Sequence, residues 1–269
     1  LLRSRDLLVL LKAGDQMAAR LCGAWGVAEA RQVLLKWLED DARTGAAAEA
    51  LGALGTELGA EGRDALVRLA RDRGRALSSR ASCVVAVATI EINAGAGLAA
   101  DLLSEMKSSA GVGTLYDSFL TRVGGADALA KAVAGKKLAV NVAAAGVKQA
   151  ESSGGKTSAL IAALSKSGGL EPIVRALSAG EMKLLLAEVR SSGNAKRGEV
   201  VYRRTGLLCQ ACHAIGGGGG LVGPDLVSIG SSAPLDYIVE SLLEPAKKIK
   251  EGYHSTVIIT KSGTVVTGG

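Results

Sequence analysis

The chain has 269 residues, room for about two domains at roughly 100–200 residues each, with 48% hydrophobic, 22% charged and only 3% aromatic residues. That balance excludes a disordered polar chain, and 36 glycines without a three-residue period exclude collagen. The net charge of +6 comes with one dense basic run, Lys247, Lys248 and Lys250, and without interleaved aromatics, so nucleic-acid binding is not expected and the run reads better as a docking patch for an acidic partner. No uninterrupted apolar run of about 18 residues occurs, so no membrane span is expected. The chain opens Leu1-Leu2-Arg3, with no initiator Met and no signal-peptide pattern, and is read as part of a longer protein.

The first 190 or so residues repeat one theme, apolar residues at helical spacing separated by short Gly-rich breaks. Ala30, Val33, Leu34, Trp37 and Leu38 make one helical stripe, and Leu98, Leu102 and Met106 another. Leu160, Ala163 and Leu164 make a third, and Met182, Leu185, Leu186 and Val189 a fourth. Breaks fall at Gly14, Gly55, Gly74, Gly111–Gly113, Gly124-Gly125, Ser152–Gly155 and Gly168-Gly169, where glycine can take positive φ and end a helix. Short turns between helices imply antiparallel neighbours. At the roughly 40-residue period of HEAT-type repeats this region would hold about four or five helical pairs, with an irregular bundle as the alternative. Small residues such as Ala46–Ala48 and Ala143–Ala145 would let helices approach closely.

Near residue 194 the character changes. Pro224, Pro234 and Pro245, both histidines and the run Gly216–Gly220 all lie beyond it. The boundary is placed at Ser191–Lys196. Beyond it the pattern predicts a helix over about 196–206, a loop over 207–232, a helix over about 233–243, and a hairpin of Tyr253–Thr260 and Thr264–Thr267 joined by Lys261-Ser262-Gly263.

Cysteine placement directs the chemistry. Cys22 and Cys83 stand singly in apolar helical stretches, whereas Cys209-Gln210-Ala211-Cys212-His213 is C-x-x-C-H, the spacing of c-type haem attachment. Two thiols three positions apart can reach two vinyl groups on one porphyrin edge, and the adjacent His can turn under the ring to the iron. Other readings of the pair stay open: half of a zinc site, which would want further ligands and finds only His254 and carboxylates downstream, or a redox dithiol, which would want a preceding strand.

From Gly193 to Gly269 the chain resembles the planctomycete/verrucomicrobium-type haem-binding domain, a cytochrome c-like module. The matching residues are Gly198, Tyr202, Cys209, Cys212, His213, Gly217 to Gly220, Gly223-Pro224-Asp225-Leu226, Ile229-Gly230, Asp236-Tyr237, Glu240-Ser241, Glu244-Pro245, Gly252-Tyr253-His254 and Gly263. The resemblance implies one covalent haem c per chain, with thioethers at Cys209 and Cys212 and His213 as proximal iron ligand. It also gives the Pro224 carbonyl as acceptor for the other ring nitrogen, with Gly223 allowing close approach. Leu207, Leu208, Leu221, Leu226, Ile229 and Ile238 would wall the ring, and Arg203, Arg204 and Lys248 are candidate propionate partners. The family's sixth ligand is a Met in a segment after the hairpin, before which this chain stops. Met17, Met106 and Met182 lie upstream on helical stripes and read as core packing. His254 is the candidate distal imidazole, against the plainer reading of a strand-surface histidine.

The fold class expected is therefore mainly α: a HEAT-like α-helical repeat region over 1–192, then a cytochrome c-like α domain with a C-terminal β-hairpin over 193–269. The function expected is electron transfer in a periplasmic or otherwise exported compartment, with a redox partner protein or fused dehydrogenase supplying electrons, as the cytochrome module of a larger oxidoreductase. The fragment shows no catalytic site of its own. The rivals are a helical-repeat scaffold whose C-x-x-C-H motif holds structural zinc or is vestigial, and a haem sensor of small ligands. Gly154-Gly155-Lys156-Thr157 resembles the end of a phosphate loop, but Ala150 stands where its first glycine belongs, so it reads as a turn. Asp40-Asp41 reads as a helix end.

Overall fold

The computed structural model describes residues 3–153, 156–170, 177–204, 207–245 and 247–268. The fold is mainly helical and divides into two compact units, residues 1–171 with 257–268, and residues 172–256. The sequence boundary at Ser191–Lys196 thus differs from the division of the fold: the helix before it belongs to the second unit, and the C-terminal hairpin belongs to the first.

The first unit is built from α1 (Ser4–Lys12), α2 (Gln16–Ala24), α3 (Arg31–Trp37), α4 (Asp41–Leu54), α5 (Gly59–Arg71), α6 (Leu77–Ile90), α7 (Ile92–Glu105), α8 (Val112–Leu120), α9 (Gly125–Val133), α10 (Val140–Ser152) and α11 (Ser158–Gly168). Helix starts are set locally. Asp15 and Asp40 sit just before α2 and α4, where their carboxylates accept from the first free N–H groups. Asp40-Asp41 is therefore a cap and a first-turn acid. Gly111 and Gly124 take left-handed backbone immediately before α8 and α9.

The helices form two rows. α2, α4, α6, α8 and α10 pack in succession along one, and α3, α5, α7, α9 and α11 along the other. The second row starts at Arg31, Gly59, Ile92, Gly125 and Ser158, so the repeat is nearer 33 residues than the 40 expected from the sequence. Side-chain links keep the same step: Arg20 to Glu49 lies 29 residues on, Arg63 to Glu91 28 on, and Lys136 to Asp101 35 back. The period is short because the helices are short and the turns tight.

Close contact substitutes for aromatic bulk. A Cβ on Gly23 would stand 2.5 Å from the Ala50 Cα, and one on Gly95 2.4 Å from the Ala88 Cα, so α2/α4 and α6/α7 meet nearly backbone to backbone. Leu7, Leu34, Leu51, Leu66, Leu103, Tyr116 and Phe119 fill the interior, with Cys22 and Cys83 buried among them. Burial pushes both thiols up, Cys83 to about 12. The methionine expectation needs correction: Met106 is buried, but Met17 is 59% exposed, because Ala18, Ala19 and Cys22 take the inner face of α2.

The second unit contains α12 (Ala179–Ser192), α13 (Ala195–Tyr202), the one-turn α14 (Cys209–Cys212), a two-stranded antiparallel ribbon β1 (Ala214–Ile215) and β2 (Gly218–Gly219), α15 (Ile229–Ser232) and α16 (Leu235–Leu243). α12 opens with a capping box, Ser178 to Glu181, and packs on α16. The predicted Met182 stripe is helical, yet no residue of α12 is buried. Among the described residues, Ala214 and Val239 are the only buried apolar side chains of this unit.

The last strands, β3 (Thr256–Ile259) and β4 (Val265–Gly268), form a hairpin whose turn includes Gly263 at φ +80°. It joins the loop after α8: Val123 N–H donates to Gly263 O at 3.1 Å and Val265 N–H to Thr121 O at 2.7 Å. Among the described residues no helix is long and apolar enough to cross a membrane.

Candidate functional site

The C-x-x-C-H motif lies in the second unit between α13 and the glycine run. Leu208 enters it with φ +57°, the only left-handed residue other than glycine among the described residues. A branched side chain in that region costs about 1–2 kcal/mol, and here the turn starts α14 directly at Cys209. One helical turn then carries Cys209 and Cys212 three positions apart, Cys209 half-buried and Cys212 exposed. The His213 N–H donates to Cys209 O at 2.9 Å and closes the turn, after which the chain becomes extended.

His213 Nδ1 stands 2.9 Å from the Pro224 carbonyl oxygen, the acceptor implied by the resemblance. A carbonyl oxygen can only accept, so Nδ1 carries the proton and Nε2 keeps its lone pair. No hydrogen bond engages Nε2 among the described residues. Gly223 lies flat against the ring: a Cβ there would fall 2.4 Å from Cε1, 2.7 Å from Nδ1 and 2.9 Å from Nε2. Its own N–H donates to Cys212 O at 2.7 Å, so the 223–224 backbone clasps both the motif and the imidazole.

The glycine run supports this clasp. Gly216 and Gly217 turn with positive φ between β1 and β2, and β2 approaches the motif so closely that a Cβ on Gly219 or Gly220 would strike the His213 or Ala211 carbonyl oxygen. Asp225 holds the turn from outside, its carboxylate accepting from Val227 N–H at 2.8 Å, Gly217 N–H at 2.9 Å and Gly216 N–H at 3.1 Å. These donors hold its carboxyl below the ordinary carboxylate range.

Of the expected ring-wall residues, Leu226, Ile229 and Ile238 are half-buried, while Leu207 and Leu208 are exposed and Leu221 is 83% exposed. Arg203 pairs with Glu199 at 2.9 Å. Lys248 pairs with Glu240 at 2.9 Å and lies over the Tyr237 ring. With Lys247 also on Glu240, the basic run is partly neutralised within the unit, and the two ammonium groups pull the Glu240 carboxyl down to about 2. Lys250 and Arg204 are exposed. His254 is exposed ahead of β3 and makes no hydrogen bond among the described residues.

Two contacts escaped the sequence reading. Tyr202 O–H donates to His213 O, and Asp225 gathers three N–H groups. The second had a legible signal, an Asp two residues before an N–H it can cap. The first had none, since Tyr202 and His213 stand 11 residues apart.

Cys209, Cys212 and His213 are the residue types that a c-type haem would use. Among the described residues no three or more His, Cys, Asp or Glu side chains converge as a metal site. The phosphate-loop lookalike carries no site: Gly154 and Gly155 lie outside the described residues, and Thr157 Oγ1 donates to Ala150 O. No family model, curated protein or solved structure matches the chain.

Proposed function

We propose that the second unit is a c-type cytochrome module that moves single electrons, and that the first is a HEAT-like repeat stack. One observation carries the reading: in a C-x-x-C-H segment the imidazole is bonded through Nδ1 to the Pro224 carbonyl and backed by Gly223, which frees Nε2 as a ligand. Cys209 and Cys212 would hold the haem as thioethers and His213 would coordinate its iron. When bound, the haem supplies one-electron redox chemistry.

The chain's own residues set the conditions. The Nδ1–H···O bond fixes the tautomer and raises the donor strength of Nε2. Gly223 keeps the ring from being pushed aside. Leu207, Leu208 and Leu221 offer apolar surface that would exclude water from a bound ring and so help tune its potential. His254 is retained as a candidate second axial imidazole, whose ligation would give a lower potential than a Met. The module would accept electrons from a fused or partner dehydrogenase in an exported compartment, where the reduced thiols of Cys209 and Cys212 can be joined to haem.

The test is colour. Material purified from a host that matures c-type cytochromes is expected to show Soret and α bands that survive acid-acetone extraction. A colourless, zinc-containing product would overturn the reading in favour of a repeat scaffold with a structural metal. A five-coordinate iron that binds carbon monoxide readily would instead indicate a ligand sensor.

A further inference from the structure

We propose that Tyr202 is a positioning residue for His213, an inference that rests on the haem reading above. Tyr202 ends α13 half-buried, and its phenol donates to the His213 carbonyl oxygen at 2.5 Å, at the short end for an O–H···O bond. The neighbouring backbone is held on every other side: His213 N–H by Cys209 O, Cys212 O by Gly223 N–H, and Ala214 O by Leu226 N–H. Those bonds tie the motif to the loops that follow it. The Tyr202 bond alone among the described side-chain hydrogen bonds ties the ligand's peptide to the leading helix.

The two anchors on His213 fix different motions. Pro224 restrains rotation of the ring about its side-chain torsions. Tyr202 restrains tilt of the peptide plane from which the ring projects. With either one alone, the imidazole would keep a soft direction. With both, Nε2 points one way before any ligand arrives, the preorganisation a single axial ligand needs.

Tyr202→Phe keeps the ring and removes only the donor, and Val201→Ala in the same turn serves as the control for helix destabilisation. In the full chain without haem, the His213 and Gly223 amides of Tyr202→Phe are expected to exchange with solvent about fivefold faster, the equivalent of one neutral hydrogen bond. The Arg203 amide, which donates to Glu199 O within the helix, should stay unchanged. In the haem-loaded chain Tyr202→Phe should shift the midpoint potential upward, and Val201→Ala should not. Wild-type exchange and potential in Tyr202→Phe would overturn the proposal, as would the same changes in Val201→Ala. If the wild-type chain takes no haem, the cytochrome reading fails, and the exchange comparison still decides whether Tyr202 holds His213.

Discussion

The two units solve the problem of a folded interior in opposite ways. The first unit is filled by its own side chains: leucines pack its interior, glycines let its helices touch, and its charges pair from one helix pair to the next. The second unit is mostly short turns and loops around a motif, with Ala214 and Val239 as its buried apolar side chains among the described residues and Leu207, Leu208 and Leu221 on its surface. Hydrogen bonds at the Pro224 carbonyl, the Asp225 carboxylate and the Tyr202 hydroxyl hold the motif and the loop after it.

The largest expected effect that separates the units lies in the stack. Arg80 has only 6% of its side chain exposed, donates to Ala70 O and pairs with Glu105 at 2.8 Å. Glu105→Ala strands that charge and should cost about 3 kcal/mol, since a nearly buried guanidinium loses its carboxylate. Trp25 and Trp37 are the only tryptophans and both lie in the repeat unit, so denaturation followed by tryptophan fluorescence reads this loss directly.

Gly223→Ala should cost the second unit about 1–3 kcal/mol, because the new methyl overpacks the imidazole face. The His213–Pro224 bond should be lost, visible as an altered Nδ1–H resonance, while the tryptophan transition stays in place. A smaller effect of opposite sign is expected from Leu208→Gly. It relieves the left-handed strain and should stabilise the second unit by about 1 kcal/mol in thermal or denaturant unfolding.

Acid should sharpen the contrast least in energy but most clearly in location. Asp225 and Glu240 have folded pKa values below the ordinary carboxylate range, so their stabilisation is present at neutral pH and is lost as pH falls from about 4.3 toward the folded value, about 2 for Glu240. The loop around Gly216 and Gly217, held by Asp225, should therefore loosen as pH falls below the ordinary Asp value of about 3.9. Chemical shifts of Gly216, Gly217 and Val227 would record it, and pH-independent shifts from 5 to 2 would contradict it.

The sequence reveals much of this and hides some for definite reasons. Helical stripes around Leu34, Leu102 and Leu164 mark real helices, and Gly14, Gly55, Gly111, Gly124 and Gly169 turn with positive φ as expected of breaks. The Met182 stripe marks a helix whose apolar face is only partly covered, with Met182, Leu185 and Leu186 half-buried and Val189 exposed, because periodicity reports what a helix offers and not what meets it. The hairpin belongs to the repeat unit through backbone bonds to Thr121 and Val123, which leave no trace in side-chain pattern. At the motif, the five residues are legible from spacing alone. The Pro224 acceptor and the close approach at Gly223 follow from the resemblance, whereas the contacts of Asp225 and Tyr202 need the path of the intervening loop, which spacing does not give.

The most direct test is intact-mass and peptide mass spectrometry of the full chain made in a host with c-type cytochrome maturation. The account predicts a mass increase of one haem per chain, confined to the peptide carrying Cys209 and Cys212 and abolished when both become Ala, with Cys22 and Cys83 unmodified. An unmodified chain with all four thiols free, or one that holds zinc in its native mass spectrum, would contradict it.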